Sequence, residues 1–493
     1  MNILFVDEFV PEPDRNGSSL RALQIIESLR ALAHKVTFVS RYLPQDSGCA
    51  EKLKKSGIEF YAGDVGRISS HRRPDPPWSF SEVLKKGNFD AAILTLWFWN
   101  DISIPEDYLY EIRHLSECTR IIVLTDDRHG LRQRLVAEAT KSLLDSEAAI
   151  DHAKRERQIY MAADLVFAIS ALERSIVEEA APSTPVMLIP FSVESSTIRA
   201  DYNARRDVVY LGNFENNATR DAVAWFLEKV WPLIHDQQPE IGFTVAGNRA
   251  FAHVPARAPK NIRCVGHVSD LAQLLDQHRV FVAPIRFGTG IATKNITAMA
   301  HGIPVVTTTL GAQSIGLVSG SQAMLANTAE DFAAAVLAVY SDQRLWTNMV
   351  DLAHAHLLAN FSHRSLEIAL AEAMESVCQI TPKQLPVDSS WLCSGDNSGR
   401  NKSTAPRRSE WFAPVRRAVA TGELLFRQRR PFAAIDQFRR AAALCVNRGN
   451  APYSDSAPVR RRLLRDFQRC YEAFGDSDRA ARCDEEQSAL TEL

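Results

Sequence analysis

The chain has 493 residues, 46% of them hydrophobic and 24% charged, with a formal net charge of −2. That length is enough for two or three cores, and the near-neutral charge argues against a dedicated nucleic-acid binder. The eight cysteines lie far apart with no pair at metal-ligand spacing, and a chain this long needs no disulfide frame, so they read as reduced thiols. The N-terminus MNILFVDEFV has no basic leader, and the longest apolar run, Ala91–Trp99, is about half of what a membrane span requires. A cytoplasmic protein is expected, with peripheral contact at the inner face of the membrane left open.

In the first third, short apolar runs alternate with helical patterns. NILFVD, KVTFVS (Lys35–Ser40), AAILTL (Ala91–Leu96), RIIVLT (Arg120–Thr125) and DLVFAIS (Asp164–Ser170) are predicted strands. Between the first two, Leu20, Leu23, Ile26 and Leu29 recur at helical spacing. Strands that read as continuous apolar runs are buried on both faces, as in a parallel sheet flanked by helices. The pattern restarts after PFSVESS (Pro190–Ser196) with DVVYLG, FTVAG, IRCVG, VFVAPI and PVVTT as strands, and a long helix is expected over Ser362–Val377. The fold class is therefore α/β: two Rossmann-like, doubly wound domains facing a cleft, over 1–195 and 196–378.

Residues 379–409 shift to Pro, Ser, Asn and Gly and read as a flexible linker. Residues 410–493 are patterned as helix throughout. Gly422, Leu425, Ala434, Phe438 and Ala441 fit a tetratricopeptide-like hairpin, partly repeated at Tyr471, Gly475 and Ala480; a plain helical hairpin fits as well. The arginines at 416–417, 427, 429–430, 439–440 and 460–462 suit either a basic face for an anionic surface or solvated helix faces.

Two stretches carry chemistry. DEFVPEPDRNGSSLR leads from the first strand through Gly17 and Ser18 into a helix. RFGTGIATKNIT holds Gly288, Thr289 and Gly290, then a helix bearing Lys294. The glycines let a ligand approach the backbone, the helix N-terminus favours an anion, and Lys294 offers a point charge suited to a diphosphate. A tight strand-to-helix turn without a ligand is the alternative at each.

The ordered series VVYLGNFENNATRDAVAWF…VAGN…VGHVSDL…VFVAPIRFGTGIATKNITAMAHGIPVVTT resembles the GT-B glycosyltransferases of the large retaining family 4, or group 1. TDDRHGLR…RERQIYMAADLVFAISALERS resembles one branch of it, and the likeness covers roughly residues 1–377. The resemblance implies a glycosyltransferase of polysaccharide biosynthesis. Such an enzyme moves a sugar from a nucleoside diphosphate-sugar to a glycan, lipid-linked or protein acceptor, with retention and without a metal or other cofactor. It implies that Gly17, with Ser18, approaches the donor diphosphate. Gly212 and Asn213 lie beside that phosphate, His267 and Val268 offer backbone groups to the base, and Lys294 sits over the diphosphate. Asp127 and His129 fall near the place of a histidine that many relatives hold close to the sugar. The C-terminal helices are a candidate surface for a protein partner or acceptor, and no nucleic-acid partner is implied.

The departures are specific. The family's ribose-binding glutamate falls at Thr297, an earlier acidic position at Thr289, and a second basic residue at Ala292. A carboxylate accepts charge-assisted bonds of roughly 1.5–3 kcal/mol each, against roughly 0.5–1.5 for a neutral hydroxyl. Weaker donor binding is expected, with Glu215 and Asn216 as candidate substitutes. The alternative is a catalytically inactive GT-B scaffold; an epimerase or phosphorylase on the same architecture is a minor third.

Overall fold

The structure, a computed structural model, describes residues 1–13, 17–42, 47–63, 78–98, 103–194, 201–254, 261–268, 270–288, 290–384, 413–428, 430–447 and 453–489. Most of the expected linker, together with Thr289 and Arg429, lies outside the described residues. The chain forms two compact units: residues 1–167, 176–187 and 374–493, and residues 168–175 and 188–373. The C-terminal helices thus fall within the first unit. The helix His363–Gln379 begins in the second unit and ends in the first.

The first unit holds a seven-stranded sheet of β1 (Asn2–Asp7), β2 (Lys35–Ser40), β3 (Glu59–Ala62), β4 (Ala91–Leu96), β5 (Arg120–Thr125), β6 (Leu165–Ala168) and β7 (Val186–Leu188), in the order 3-2-1-4-5-6-7. β1 pairs in parallel with β2 on one side (Ile3 opposite Val36) and with β4 on the other (Ile3 opposite Ala91). Strand order reverses there, so the C-terminal ends of β1 and β4 mark the position where open sheets of this kind take ligands.

The second unit repeats the arrangement with β8 (Arg206–Leu211), β9 (Phe243–Ala246), β10 (Ile262–Val265), β11 (His278–Ala283), β12 (Val305–Thr307) and β13 (Ala323–Leu325), in the order 10-9-8-11-12-13. Here the switch lies between β8 and β11 (Val208 opposite Val280). The central strands β4 and β11 are buried along their whole length. Phe226, Trp231, Phe243, Phe332 and Trp346 fill the core on one face of this sheet.

Four described helices follow: Ala413–Arg427, Pro431–Asn447, Tyr453–Phe474 and Ser477–Ala489. A Cβ on Gly422 would lie 2.5 Å from the Phe438 ring, so glycine is what lets the first two helices pack this closely. The set docks on helix Leu143–Ala162 of the first unit, burying Leu143, Leu144 and Ala148 with Val415, Phe438 and Phe467. Arg439 pairs with buried Glu147 at 2.6 Å, Lys154 with Asp436 at 2.5 Å, and Tyr471 donates to Glu147. Arg462 and Arg469 pair within the region, with Glu423 and Asp466. Of the arginines named from the sequence, Arg439, Arg440 and Arg462 are thus engaged in ion pairs. No described helix is long and apolar enough to cross a membrane.

Candidate functional site

In the second unit, most of the residues expected to hold a donor follow the two switch-point strands. β8 is followed at once by Gly212, whose N–H donates to Ala246 O at 3.1 Å. A side chain on Gly212 would meet Thr219 Cγ2 at 2.7 Å. Beside it Gly247 has φ +137°, and its Cβ would sit 1.8 Å from Gly212 O. Only glycine permits the ends of β8 and β9 to meet in this way. The Asn213 side chain accepts from Glu215 N–H at 3.1 Å, and Asn216 caps helix Asn217–Trp225 by accepting from Ala218 N–H at 2.9 Å. Glu215 pairs with Arg249 at 3.3 Å. Both proposed substitutes for the missing glutamate thus have other partners.

Beyond β11, Arg286 is tied to Asp221 by paired bonds and lies over the Trp225 ring, which anchors the turn that follows. Gly288 has φ +142°, and a Cβ placed on it would meet no atom within 4 Å, so backbone conformation alone selects glycine there. Gly290 is exposed. The helix Thr293–Ala300 turns Asn295, Ile296, Ala298, Met299 and Ala300 inward. Thr293, Lys294 and Thr297 are left on its half-buried face. Lys294 Nζ donates to Tyr210 Oη at 3.1 Å and lies 4.8 Å from that ring's centroid. Among the described residues no carboxylate pairs with it. Thr297, at i+3 from Lys294, shares its side of the helix. His267 is exposed and Val268 half-buried, and their backbone amides donate to nothing among the described residues.

In the first unit, Gly17 and Ser18 open helix Gly17–Ala31 after β1. Arg21 in its second turn is buried and donates to Thr125 O at 2.5 Å and to Asp126. Asp7, at the end of β1, accepts from Thr95 Oγ1 at 2.9 Å and Glu8 N–H at 2.6 Å. Burial, reinforced by Asp126, pushes the Asp7 carboxyl up to about 7. Asp127 and His129 converge on one guanidinium: Arg132 bonds Asp127 Oδ2 at 2.5 Å and His129 Nδ1 at 2.8 Å. His129 is 1% exposed, wedged edge-on between Trp97 and Phe98. Burial, then Arg132, holds its imidazole well below the usual histidine range, so it is neutral at pH 7. The buried Glu156 carboxylate accepts from His129 N–H at 2.7 Å and Gly130 N–H at 3.3 Å, capping that helix.

Sequence reasoning missed Tyr210, the Arg286–Asp221 pair and Glu156. Their partners are distant in the chain, and no local spacing marks them. Gly247 stood in the quoted VAGN but was given no role.

Residues 205–342 match the family described as glycosyl transferases, group 1. An uncharacterized 44.6 kDa protein in the cps region of Klebsiella pneumoniae is 29% identical over 133 residues, which are 24% of this chain and 34% of that one. The chain thus spans about a third of that relative's length. Among solved structures, sucrose-phosphate synthase of Thermosynechococcus elongatus is similar at a TM-score of 0.56 and 14% identity, covering 76% of this chain and 99% of that chain. HepE of Anabaena, in complex with UDP and glucose, matches at 0.55 and 13%, covering 76% and 100%. TarM of S. aureus matches at 0.54 and 10%, covering 76% and 99%. The two-sheet fold is the GT-B type expected from the sequence resemblance, and the family match falls on the unit that holds Lys294. Over residues 205–342 the chain is thus similar to the glycosyl transferases of group 1.

Proposed function

We propose that the protein transfers a sugar from a nucleoside diphosphate-sugar to a glycan, lipid-linked or protein acceptor, with retention of configuration and without a metal, as in family 4. The observation that carries this is Lys294. It is a half-buried cation with no carboxylate partner among the described residues, braced by Tyr210 beside the Gly212–Gly247 contact at the switch point of the second sheet. A cation held this way, with a helix N-terminus beside it, suits the charge that develops on a departing diphosphate. The bond from sugar C1 to the diphosphate breaks, C1 bonds to the acceptor oxygen, and the acceptor's proton passes to the departing diphosphate. HepE, captured with UDP and glucose on a similar fold, supports a uridine nucleotide as the first donor to try. Gly17 and Ser18 are assigned to the diphosphate; Asp127 and neutral His129, ordered by Arg132, to sugar or acceptor hydroxyls. The helical region, tetratricopeptide-like in pattern, is assigned to a protein partner or acceptor. The place of work is the cytoplasm, with peripheral contact at the membrane's inner face, and the cps-region relative supports a role in polysaccharide assembly.

A thermal-shift screen with nucleotide sugars tests the reading. A bound ligand at 100-fold its Kd stabilises by about 2.7 kcal/mol, and Lys294→Ala removes the shift. Absence of any shift in the unaltered protein overturns the donor assignment. A second reading, an inactive scaffold, is favoured by Thr297 and by the engagement of Glu215 and Asn216 elsewhere. Nucleotide binding without transfer or donor hydrolysis would select it.

A further inference from the structure

The hairpin made by the first two C-terminal helices ends in a tip with apolar and basic side chains. Its connection, residues 428–430, is short and fixed. Gln428 N–H donates to Leu424 O at 3.1 Å, Arg430 N–H to Leu425 O at 3.0 Å, and Ala434 N–H to Arg430 O at 3.0 Å. Phe432, in the first turn of Pro431–Asn447, is 75% exposed, and among the described residues no large apolar side chain is more so. Leu424, in the last turn of Ala413–Arg427, is 56% exposed. Phe432 is held in place: its ring stacks on Phe474 at the end of the third helix, with centroids 4.5 Å apart and planes at 17°.

The charge of this connection has one sign. Between Glu423 and Asp436 the sequence holds Arg427, Arg429 and Arg430 and no carboxylate. Arg427 and Arg430 are exposed, and neither has an ion pair among the described residues. The two bounding acids are committed elsewhere, Glu423 to Arg462 at 2.6 Å and Asp436 to Lys154 at 2.5 Å. Of the acids around Phe474, Glu472 accepts from Gln468 at 3.2 Å, Asp476 pairs with Arg479 at 3.6 Å, and Asp478 lies in the first turn of the fourth helix. An exposed aromatic ring beside unpaired guanidinium groups suits a surface that is anionic at its plane and apolar just below it. A wholly polar partner would leave the ring in water, and a wholly apolar one would strand the arginines. A bilayer containing acidic lipids meets both needs.

We propose that this hairpin tip is a membrane-contact site, with Phe432 and Leu424 entering the acyl boundary of an anionic bilayer and Arg427 and Arg430 meeting lipid phosphates. This rests on the peripheral-contact reading above and names its surface. It lies outside both sheets and takes only the tip, leaving the helix faces to the partner or acceptor assigned above. Few side chains enter, so binding is weak and reversible and depends on both the apolar and the basic parts.

The test sediments full-length protein with vesicles of phosphatidylglycerol and phosphatidylcholine, and with vesicles of phosphatidylcholine alone. It compares the unaltered chain with Phe432→Ala, with Phe432→Trp, and with Arg427→Gln and Arg430→Gln combined. The unaltered protein is expected to bind the anionic vesicles and not the neutral ones. Phe432→Ala should weaken that binding by about five- to fiftyfold, and Phe432→Trp should retain it. Removing both cations should weaken it by about thirtyfold, roughly fivefold for each. Unchanged denaturant midpoints establish that the variants are folded. If the unaltered protein binds and Phe432→Ala and the arginine pair bind equally well, the contact lies elsewhere; the proposal is overturned and the peripheral-contact reading stands. Equal binding to neutral vesicles also overturns it, since the arginines then play no part. No binding of the unaltered protein to either vesicle removes the peripheral-contact reading, and this proposal with it.

Discussion

Lys294 Nζ lies 3.1 Å from the hydroxyl of Tyr210, a residue 84 positions earlier on the strand whose end forms the glycine contact. The strand sets the tyrosine, and the tyrosine sets the cation. Tyr210→Phe keeps the ring and its 4.8 Å approach to Lys294 but removes the hydroxyl. The lost bond has a charged donor and is worth about 1.5–3 kcal/mol, so nucleotide affinity should fall by roughly ten- to a hundredfold. Calorimetry with UDP checks it.

Thr297 shares Lys294's side of the helix and is half-buried. Thr297→Glu should tighten nucleotide binding by about 1 kcal/mol or more, the gain from a neutral to a charge-assisted bond. No gain in a nucleotide titration means that the ribose is held elsewhere.

The glycines at 247 and 288 should respond differently to alanine. At Gly247 the new methyl group would fall 1.8 Å from Gly212 O. Gly247→Ala should destabilise by roughly 2–5 kcal/mol, combining overpacking with backbone strain. At Gly288 there is open space, so Gly288→Ala carries only the conformational cost of about 1–2 kcal/mol. Denaturant midpoints of the two variants separate the mechanisms.

Asp7 gives a pH signature. Its carboxyl is raised by burial from 3.8 to about 7. Between those values the folded chain keeps a proton that the unfolded chain has released. Stability therefore falls as pH rises across that window and levels off above it. Asp7→Asn retains the oxygen that accepts from Thr95 and Glu8 and has no proton to lose. The variant's loss of stability between pH 5 and pH 8 should be smaller than that of the unaltered protein by ~2 kcal/mol. Equal slopes in paired urea titrations contradict this.

Glu147 joins Arg439 and Tyr471 to helix Leu143–Ala162. Glu147→Ala removes the acceptor shared by half-buried Arg439 and by Tyr471 and leaves Arg439 only its 3.4 Å contact with Asp436, at a cost of about 1–3 kcal/mol. Hydrogen exchange should quicken in Pro431–Asn447 and Tyr453–Phe474, while β8–β12 stay protected.

The two sheets were legible because their central strands are unbroken apolar runs: NILFVD, KVTFVS, AAILTL and RIIVLT are strands to the residue. β3, β7 and β13 were not, being three or four residues long, without a fully buried sequence pattern, at or near sheet edges. Lys294 and Gly288 could be singled out because a turn and a helix start are written locally. Tyr210 beneath the lysine, the Arg286–Asp221 pair, and Glu156 under His129 depend on contacts made only when the chain folds. His129 illustrates the limit most clearly: the resemblance could give it a place near the sugar, and only its burial among Trp97, Phe98 and Arg132 shows it to be neutral.

Helix Leu143–Ala162 has one side in the α/β layer and another beneath the C-terminal bundle. Leu143, Leu144, Ala148 and Glu147 have chemistry that makes sense only when that bundle is seated. The last eighty residues therefore cannot be treated as a detachable cassette. Grafting them onto a related scaffold, or deleting them, requires rewriting this helix as a water-facing surface.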